Sequence, residues 1–415
     1  LADGHKWVLF PSAALAWRIN EESFMSSTSG WLDNLKLRLG FGKTGNSAVD
    51  PYQTKGTLSL IRYPFDNGGT PTIGYAPNAM ANSLLTWETT DQWNLGIDFG
   101  VLRGRINGTI DLYMQNTHDL LLKRQLPVVS GLSNVGKTRN KGIEVSINSM
   151  NINSKDFQWT TDLMLSSNKE EIVELYNGKN DDIGSKWFIG QPVNVHYDYR
   201  KVGIWQNTES DLAEMAKFAA NGTEFAPGDI KIQDVNGDYK ITDADKQILG
   251  NPRPKLIASM VNTFNYKGFD LSVFLYASFG AMLYNDIYAV EHCGRNGGVK
   301  VDYWTPNNPT NAYPRPSIDE ERPIYITSTY YEKADFLRVK TMTLGYTLPK
   351  TLTNKFLVEK LRVYFTAQNP FIFTNYTGID PEAAKVNSAG NPETNGSGFG
   401  TPSVSSWIFG INLTL

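Results

Sequence analysis

The sequence predicts an all-β protein, part of an antiparallel transmembrane β-barrel, and three observations carry that prediction. Apolar and polar residues alternate with period two in repeated stretches along the chain, the pattern of strands with one apolar and one polar face. The clearest stretches run to about ten residues, the length a tilted strand needs to cross a bilayer, whereas soluble strands average about five or six. Short and long connections alternate strictly, as in outer-membrane barrels with tight turns on the periplasmic side and long loops outside.

Taken in order, Ala13–Asn20 alternates weakly and Leu35–Gly42 clearly. Gln92–Leu102 sets Trp93, Leu95, Ile97, Phe99 and Val101 against Gln92, Asn94, Gly96, Asp98 and Gly100. Arg105–Gln115 opposes Ile106, Ile110, Leu112 and Met114 to Arg105, Asn107, Thr109, Asp111 and Gln115. Ile143–Asn148, Phe157–Ser166, Phe269–Phe279, Leu361–Gln368 and Trp407–Leu415 repeat the pattern. Lys255–Tyr266 and Phe336–Leu348 are β-rich with a blurred phase, as bulges would produce. Eleven spanning strands result.

Leu102–Gly104, Asn151–Asp156 and Lys267–Gly268 are tight turns, with Glu21–Asn34 and Pro349–Lys360 of modest length. The long external loops cover about 45–91, 116–140, 168–254, 280–335 and 370–406. Val193–Trp205 would break the alternation if it spanned, so it is assigned to a hairpin inside an external loop. Asp211–Ala220 (DLAEMAKFAA) reads as a short helix in the same loop. Eleven is odd, whereas single-chain bacterial barrels have even strand numbers, and an open sheet leaves bare edges in lipid. With no initiator Met at Leu1 and no signal peptide, residues 1–415 are expected to be about half of one barrel domain.

Composition excludes several classes. With 39 basic against 42 acidic residues and a net charge of −3, the chain lacks the basic field of a nucleic-acid binder. One cysteine rules out a disulfide framework or a Cys-rich metal site. No apolar run approaches the length of a membrane helix. A mean hydropathy of −0.34 suits a barrel, in which half of each strand faces water.

Several segments together resemble the SusC/RagA family of TonB-dependent outer-membrane transporters of Bacteroidetes. They are Phe10–Trp17 (FPSAALAW) with Ile19–Phe24 (INEESF), Leu35–Leu39 with Lys43–Asn46 (KTGN), Trp87-Glu88 with Trp93–Phe99 (WNLGIDF), and Asn134–Gly136 with Arg139–Glu144 (RNKGIE). Gly228–Ile230, Asp234–Asp238, Gly250–Pro252, Phe336–Arg338, Leu344–Pro349 and Gln368-Asn369 complete the set in family order. The resemblance implies the C-terminal half of a 22-stranded barrel in the outer membrane, the plug and first strands lying upstream. It implies TonB-dependent import of a large nutrient, a glycan most commonly and an oligopeptide as the main exception, with a SusD-like surface lipoprotein as partner. One departure is Leu415, where the family often ends in Phe.

Asp234–Asp245 places oxygen donors at positions 1, 3, 5, 9 and 12 of a twelve-residue loop: Asp234, Asn236, Asp238, Thr242 and Asp245, with Lys240 offering its carbonyl. That spacing resembles an EF-hand loop and suits Ca²⁺, although Tyr239 replaces the usual Gly and Asp245 the usual Glu. Turns in which the carboxylates bond their own backbone would use the same residues. Trp187, Phe188, Tyr197, Tyr199, Trp205, Tyr303, Trp304, Tyr330 and Tyr331 in the external loops suit a glycan path, since aromatic faces pack on sugar C–H groups. They equally suit loop cores or an interfacial girdle.

No catalytic constellation emerges. His5, His118, His196 and His292 lack metal-ligand spacing, His292-Cys293 is a lone pair in a loop, and Gly294–Gly298 lacks a strand-to-helix context. Lys36, Arg38, Asp98, Asp111, Glu144 and Asp162 fall on the polar face, where they solvate the wall, pair with a plug or tune solute passage. An active nutrient importer is therefore the leading expectation. Its rivals are a non-transporting surface protein or adhesin, a siderophore-type TonB-dependent receptor, and a soluble all-β enzyme or lectin.

Overall fold

The computed structural model describes residues 1–47, 49, 54–64, 69, 71–125, 130–134, 136–285, 300–317, 322–356, 358–382 and 402–414. Eleven strands follow one another in a single sheet, each beside the next in chain order. They are β1 (Ser12–Arg18), β2 (Leu32–Asn46), β3 (Glu88–Val101), β4 (Ile106–His118), β5 (Lys137–Asn153), β6 (Phe157–Glu174), β7 (Leu256–Tyr266), β8 (Phe269–Phe279), β9 (Phe336–Thr347), β10 (Lys360–Thr374) and β11 (Ser406–Thr414). The count and order match the sequence expectation. Several strands run further than the alternation suggested, β5 and β6 most of all.

Register fixes the faces. Leu37 stands opposite Ile97, Leu39 opposite Leu95 and Phe41 opposite Trp93, and β4 continues these rows with Ile110, Leu112 and Met114. A slip of one residue would turn this whole apolar set to the polar side. On the far strands Phe264, Leu271, Leu344, Phe365 and Phe409 form another row. Near the short turns Phe157 packs on Tyr266 at 6.4 Å and Phe269 on Tyr346 at 4.5 Å, the aromatic border of a membrane barrel.

Two strands have a blurred phase for different reasons. In β9 the register shifts between Val339 and Thr341, the expected bulge. In β7 both ladders run without a shift, so no bulge exists there. Asn262 sits on the apolar face instead, its Oδ1 accepting from Trp159 Nε1 at 2.9 Å and Thr161 Oγ1 at 2.7 Å. A polar group on a lipid-facing surface needs such partners.

The chain divides into two compact units, residues 1–148 with 168–193 and residues 149–167 with 194–415. In the first, Arg38 bridges strands on the polar face: Nη2 lies 2.8 Å from Asp98 Oδ1 and 3.1 Å from Asp111 Oδ2, with Lys36 3.7 Å from Asp98. Gly96 makes the crossing possible, because a Cβ there would come 2.5 Å from Arg38 Cζ. The second unit repeats the device with Arg362 on Asp270 at 2.5 Å, the guanidinium lying over Gly345. Lys36, Arg38, Asp98 and Asp111, and Arg362 with Asp270, thus pair across strands.

The second unit also holds most of the described external loop structure. Helix α1 (Glu209–Ala220) begins at Thr208, whose hydroxyl accepts from Asp211 N at 3.3 Å, with Glu209 and Asp211 in the first turn favouring the helix dipole. Val193–Trp205 lies outside the wall, as expected, yet it is not a hairpin. His196–Asp198 pairs with Gln247–Gly250 and Lys201–Ile204 with Ile230–Ile232, because strand partners from distant segments bury Ile204, Ile230 and Ile232 together.

Gly108 yields a direct test of the wall. A Cβ there would meet the Phe99 ring and the Ser146 carbonyl, both at 2.6 Å. Gly108→Val should therefore lower barrel stability by about 1–3 kcal/mol, read as a lower urea midpoint. Gly96→Ala should cost less, since it displaces only the side-chain ends of Arg38 and Asp111 and no backbone.

Candidate functional site

Besides a cluster of Ala281, Leu283, Ala334 and Tyr376, two small cores organise the external loops of the second unit. Ile204, Ile230, Ile232, Trp304, Ile326 and Tyr330 form one; Trp205, Met215 and Phe218 form the other, with Phe225, Tyr239 and Ile241 against it. Trp304 Nε1 donates to Gln206 Oε1 at 2.8 Å. Lys231 Nζ lies 4.0 Å from the Trp205 ring centroid and 3.2 Å from Asp211, fastening α1 to strand 230–232.

A cleft of about 650 Å³ opens beside these cores, lined by Thr223, Glu224, Phe225, Ala226, Asp229, Ile241, Arg315, Ser317, Ile324 and Tyr325 among others. It is built at Gly228, whose N donates to Trp205 O at 2.7 Å and whose O accepts from Arg315 N at 2.8 Å. Gly228 has φ +93°, and a Cβ would meet the Trp304 ring at 2.6 Å, so only glycine lets the two loops meet there. Arg315 Nε then reaches Asp229 Oδ1 at 2.9 Å, and Asp229 Oδ2 accepts from Ala226 N at 2.8 Å. Arg315 and Asp229 offset each other, which leaves Glu224 on the rim.

Tyr325 forms the opposite wall with φ +64°, a left-handed conformation that costs an aromatic residue about 1–2 kcal/mol. Packing holds it there, with ring centroids 5.0 Å from Tyr199 and 6.4 Å from Phe225. Burial, then the nearby Tyr199 and Asp245, push its hydroxyl pKa up. Strained residues held this way are a mark of functional sites.

Of the nine aromatic residues singled out from sequence, the seven in the second unit do not converge on one surface. Trp187 and Phe188 lie in the first unit. Trp205, Trp304 and Tyr330 are buried in the loop cores, and Tyr303 is exposed. Tyr197 is half-buried in strand 196–198, and Tyr331 donates to Asp198 Oδ2 at 3.1 Å. Three of the nine buttress the cleft: Trp205 packs on Phe225 at 5.5 Å, Tyr199 on Tyr325, and Trp304 under Gly228. The lining residues Phe225, Tyr325 and Arg315 escaped the sequence reading, whereas Asp229 lies within the Gly228–Ile230 motif. His292, Cys293 and Gly294–Gly298 lie outside the described residues.

The 234–245 loop is held by its own backbone. Asp234 accepts from Gly237 N at 2.7 Å and Tyr239 N at 2.8 Å. Asp238 accepts from Lys240 N at 2.8 Å and Asn236 Nδ2 at 3.0 Å. Asp245, fully buried, accepts from Val235 N at 2.9 Å and Thr242 N at 2.8 Å. Tyr239, at the position where a Gly is usual, takes φ +58° because its ring packs on Phe218 at 5.5 Å. Among the described residues no three His, Cys, Asp or Glu side chains group to hold a metal ion.

Comparison with known proteins places this geometry. The model of the TonB-dependent receptor-like β-barrel matches residues 2–369. TonB-dependent receptor P3 of Formosa agariphila is 32% identical over 432 residues, covering 99% of this chain and 42% of that protein. TonB-dependent receptor SusC of Bacteroides thetaiotaomicron is 34% identical over 401 residues, covering 91% and 38%. The chain thus spans about two fifths of the length of these relatives. The solved structure of the RagAB peptide transporter shares the fold, with a TM-score of 0.76 at 23% identity over 97% of this chain and 43% of that one.

Two tests follow from the loop geometry. Asp245→Ala should open loop 234–245 to limited proteolysis, since it removes the acceptor of the Val235 and Thr242 amides. Lys201, which donates to Ala312 O at 2.5 Å, has its pKa lowered by burial from 10.5 to about 8. The unfolded state then binds more protons between those values, so stability rises with pH from about 8 to 10.5 and is lowest below 8. Amide protection factors in strands 201–204 and 230–232, corrected for the base-catalysed rise of intrinsic exchange, should grow across that window, and Lys201→Met should abolish the change.

Proposed function

The chain belongs to the TonB-dependent receptor β-barrel family and lies in the outer membrane, and from that premise we propose that it supplies wall and external loops to an active importer of a large saccharide. Its partners in this reading are TonB, which supplies the energy, and a SusD-like surface lipoprotein. The carrying observation is the loop cleft, where the Phe225 and Tyr325 rings stand with Arg315, Asp229, Glu224 and Thr223. Aromatic faces pack on the C–H side of a sugar, while charged and hydroxyl groups bond its hydroxyls. The exposed Glu224 carboxylate on the rim disfavours an anionic ligand.

An oligopeptide is the second reading, favoured by the fold shared with the RagAB peptide transporter. Growth separates the two. Deleting the gene should abolish growth on one class of polysaccharide and leave growth on peptides intact; the reverse pattern would replace the saccharide by a peptide. Restoring the gene with Tyr325→Phe should restore uptake. Tyr325→Gly, which accepts the same backbone without strain, should weaken ligand affinity roughly tenfold through loss of the ring.

A further inference from the structure

The outward face of the first unit's sheet changes character at its long-loop end. Phe41, Trp93 and Met114 are the last apolar residues of adjoining strands; one step further, Lys43 stands opposite Asp91 and Asp91 opposite Asn116. Arg139 joins this row, donating from Nε to Asn116 Oδ1 at 2.9 Å and lying 3.6 Å from Glu171. Alternation puts Lys141 and Lys169 on the same face, two residues along from Arg139 and Glu171. Lys169 Nζ is 3.2 Å from Glu171 with its side chain 63% exposed, and Lys141 is exposed. Lys43, Arg139, Lys141 and Lys169 outnumber Asp91 and Glu171, and both carboxylates are already engaged by these cations.

A cationic row next to an apolar band, on the face turned to lipid and at the end where the long loops leave, stands at headgroup level. The geometry points to a binding site for a phosphorylated lipid of the outer leaflet. Its acyl chains would lie on Leu39, Leu95 and Leu112, which are 46%, 39% and 46% exposed, and its phosphates on Arg139, Lys141 and Lys169. Continuity selects this occupant, since a free anion has no use for the band beneath. Charge selects it as well, since basic side chains at a membrane surface attract anionic headgroups. The inference rests on the barrel's place in the membrane and is independent of the transport reading.

The test uses the full-length protein in neutral phosphatidylcholine nanodiscs doped with a diphosphorylated glucosamine-disaccharide lipid or its dephosphorylated counterpart. Retained lipid is counted by native mass spectrometry. Wild type should retain the phosphorylated form selectively, less so as salt rises. The double variant Lys141→Gln with Lys169→Gln should retain roughly tenfold less, and Lys36→Gln on the opposite face should match wild type. Equal retention of the two lipids, equal retention by double variant and wild type, or an equal loss in Lys36→Gln would overturn the assignment.

Discussion

The ladder of backbone hydrogen bonds is the constraint from which the rest of this molecule follows. Inside a bilayer no water satisfies a peptide group, so each strand must find its partners in its neighbours. An up-and-down order meets that need with the shortest turns, and β1 to β11 follow it without a crossover. Once the ladder is fixed, side chains can only alternate. One face becomes the Phe264–Leu271–Leu344–Phe365–Phe409 row and the other carries the Arg38 and Arg362 bridges. Both bridges depend on a glycine in the strand they cross, because a long side chain lying flat across a pleat needs a position without a Cβ.

The same constraint explains how much was legible in the sequence. Period-two hydropathy located nine of the eleven wall strands, since lipid leaves an apolar mark on every second residue, and β-rich composition located β7 and β9. The alternation failed where that mark ends. The long-loop ends of β5 and β6 carry Arg139, Lys141, Lys169 and Glu171 on the outward face, so polar faces polar and the period vanishes while the ladder continues. Asn262 shows the converse error. A polar residue in an apolar row looked like a bulge, but hydrogen bonds from Trp159 and Thr161 explain it without any break in register.

The loop structure was far less legible, for a different physical reason. Its cleft draws on residues 222–226, 229, 230, 241, 315, 317 and 323–325, and no local pattern couples residues so far apart. The aromatic residues were visible as a class, yet burial divides them by partners that the sequence does not display. Trp205 lies under Phe225, Trp304 lies beneath Gly228, and Tyr303, beside Trp304, is exposed. The twelve-residue Asp234–Asp245 spacing was legible as a tight oxygen-rich turn. What spacing could not reveal is which amides, those of residues 235, 237, 239 and 242, donate to Asp234 and Asp245.

These loops must remain ordered without the support that the wall receives from its ladder. Short strands of three or four residues offer few backbone bonds, and the small cores around Trp205 and Trp304 supply what those bonds lack. Rigidity there has a functional consequence. A ligand met by preformed side chains loses less free energy to ordering them, and Tyr325 can hold its left-handed backbone only while Tyr199 and Phe225 press on its ring. The strain at Tyr325 and the packing of Trp205 are therefore linked through Phe225, which touches both rings. A change in the buried core would reach the cleft by moving that side chain, without a substitution at any residue that lines the opening.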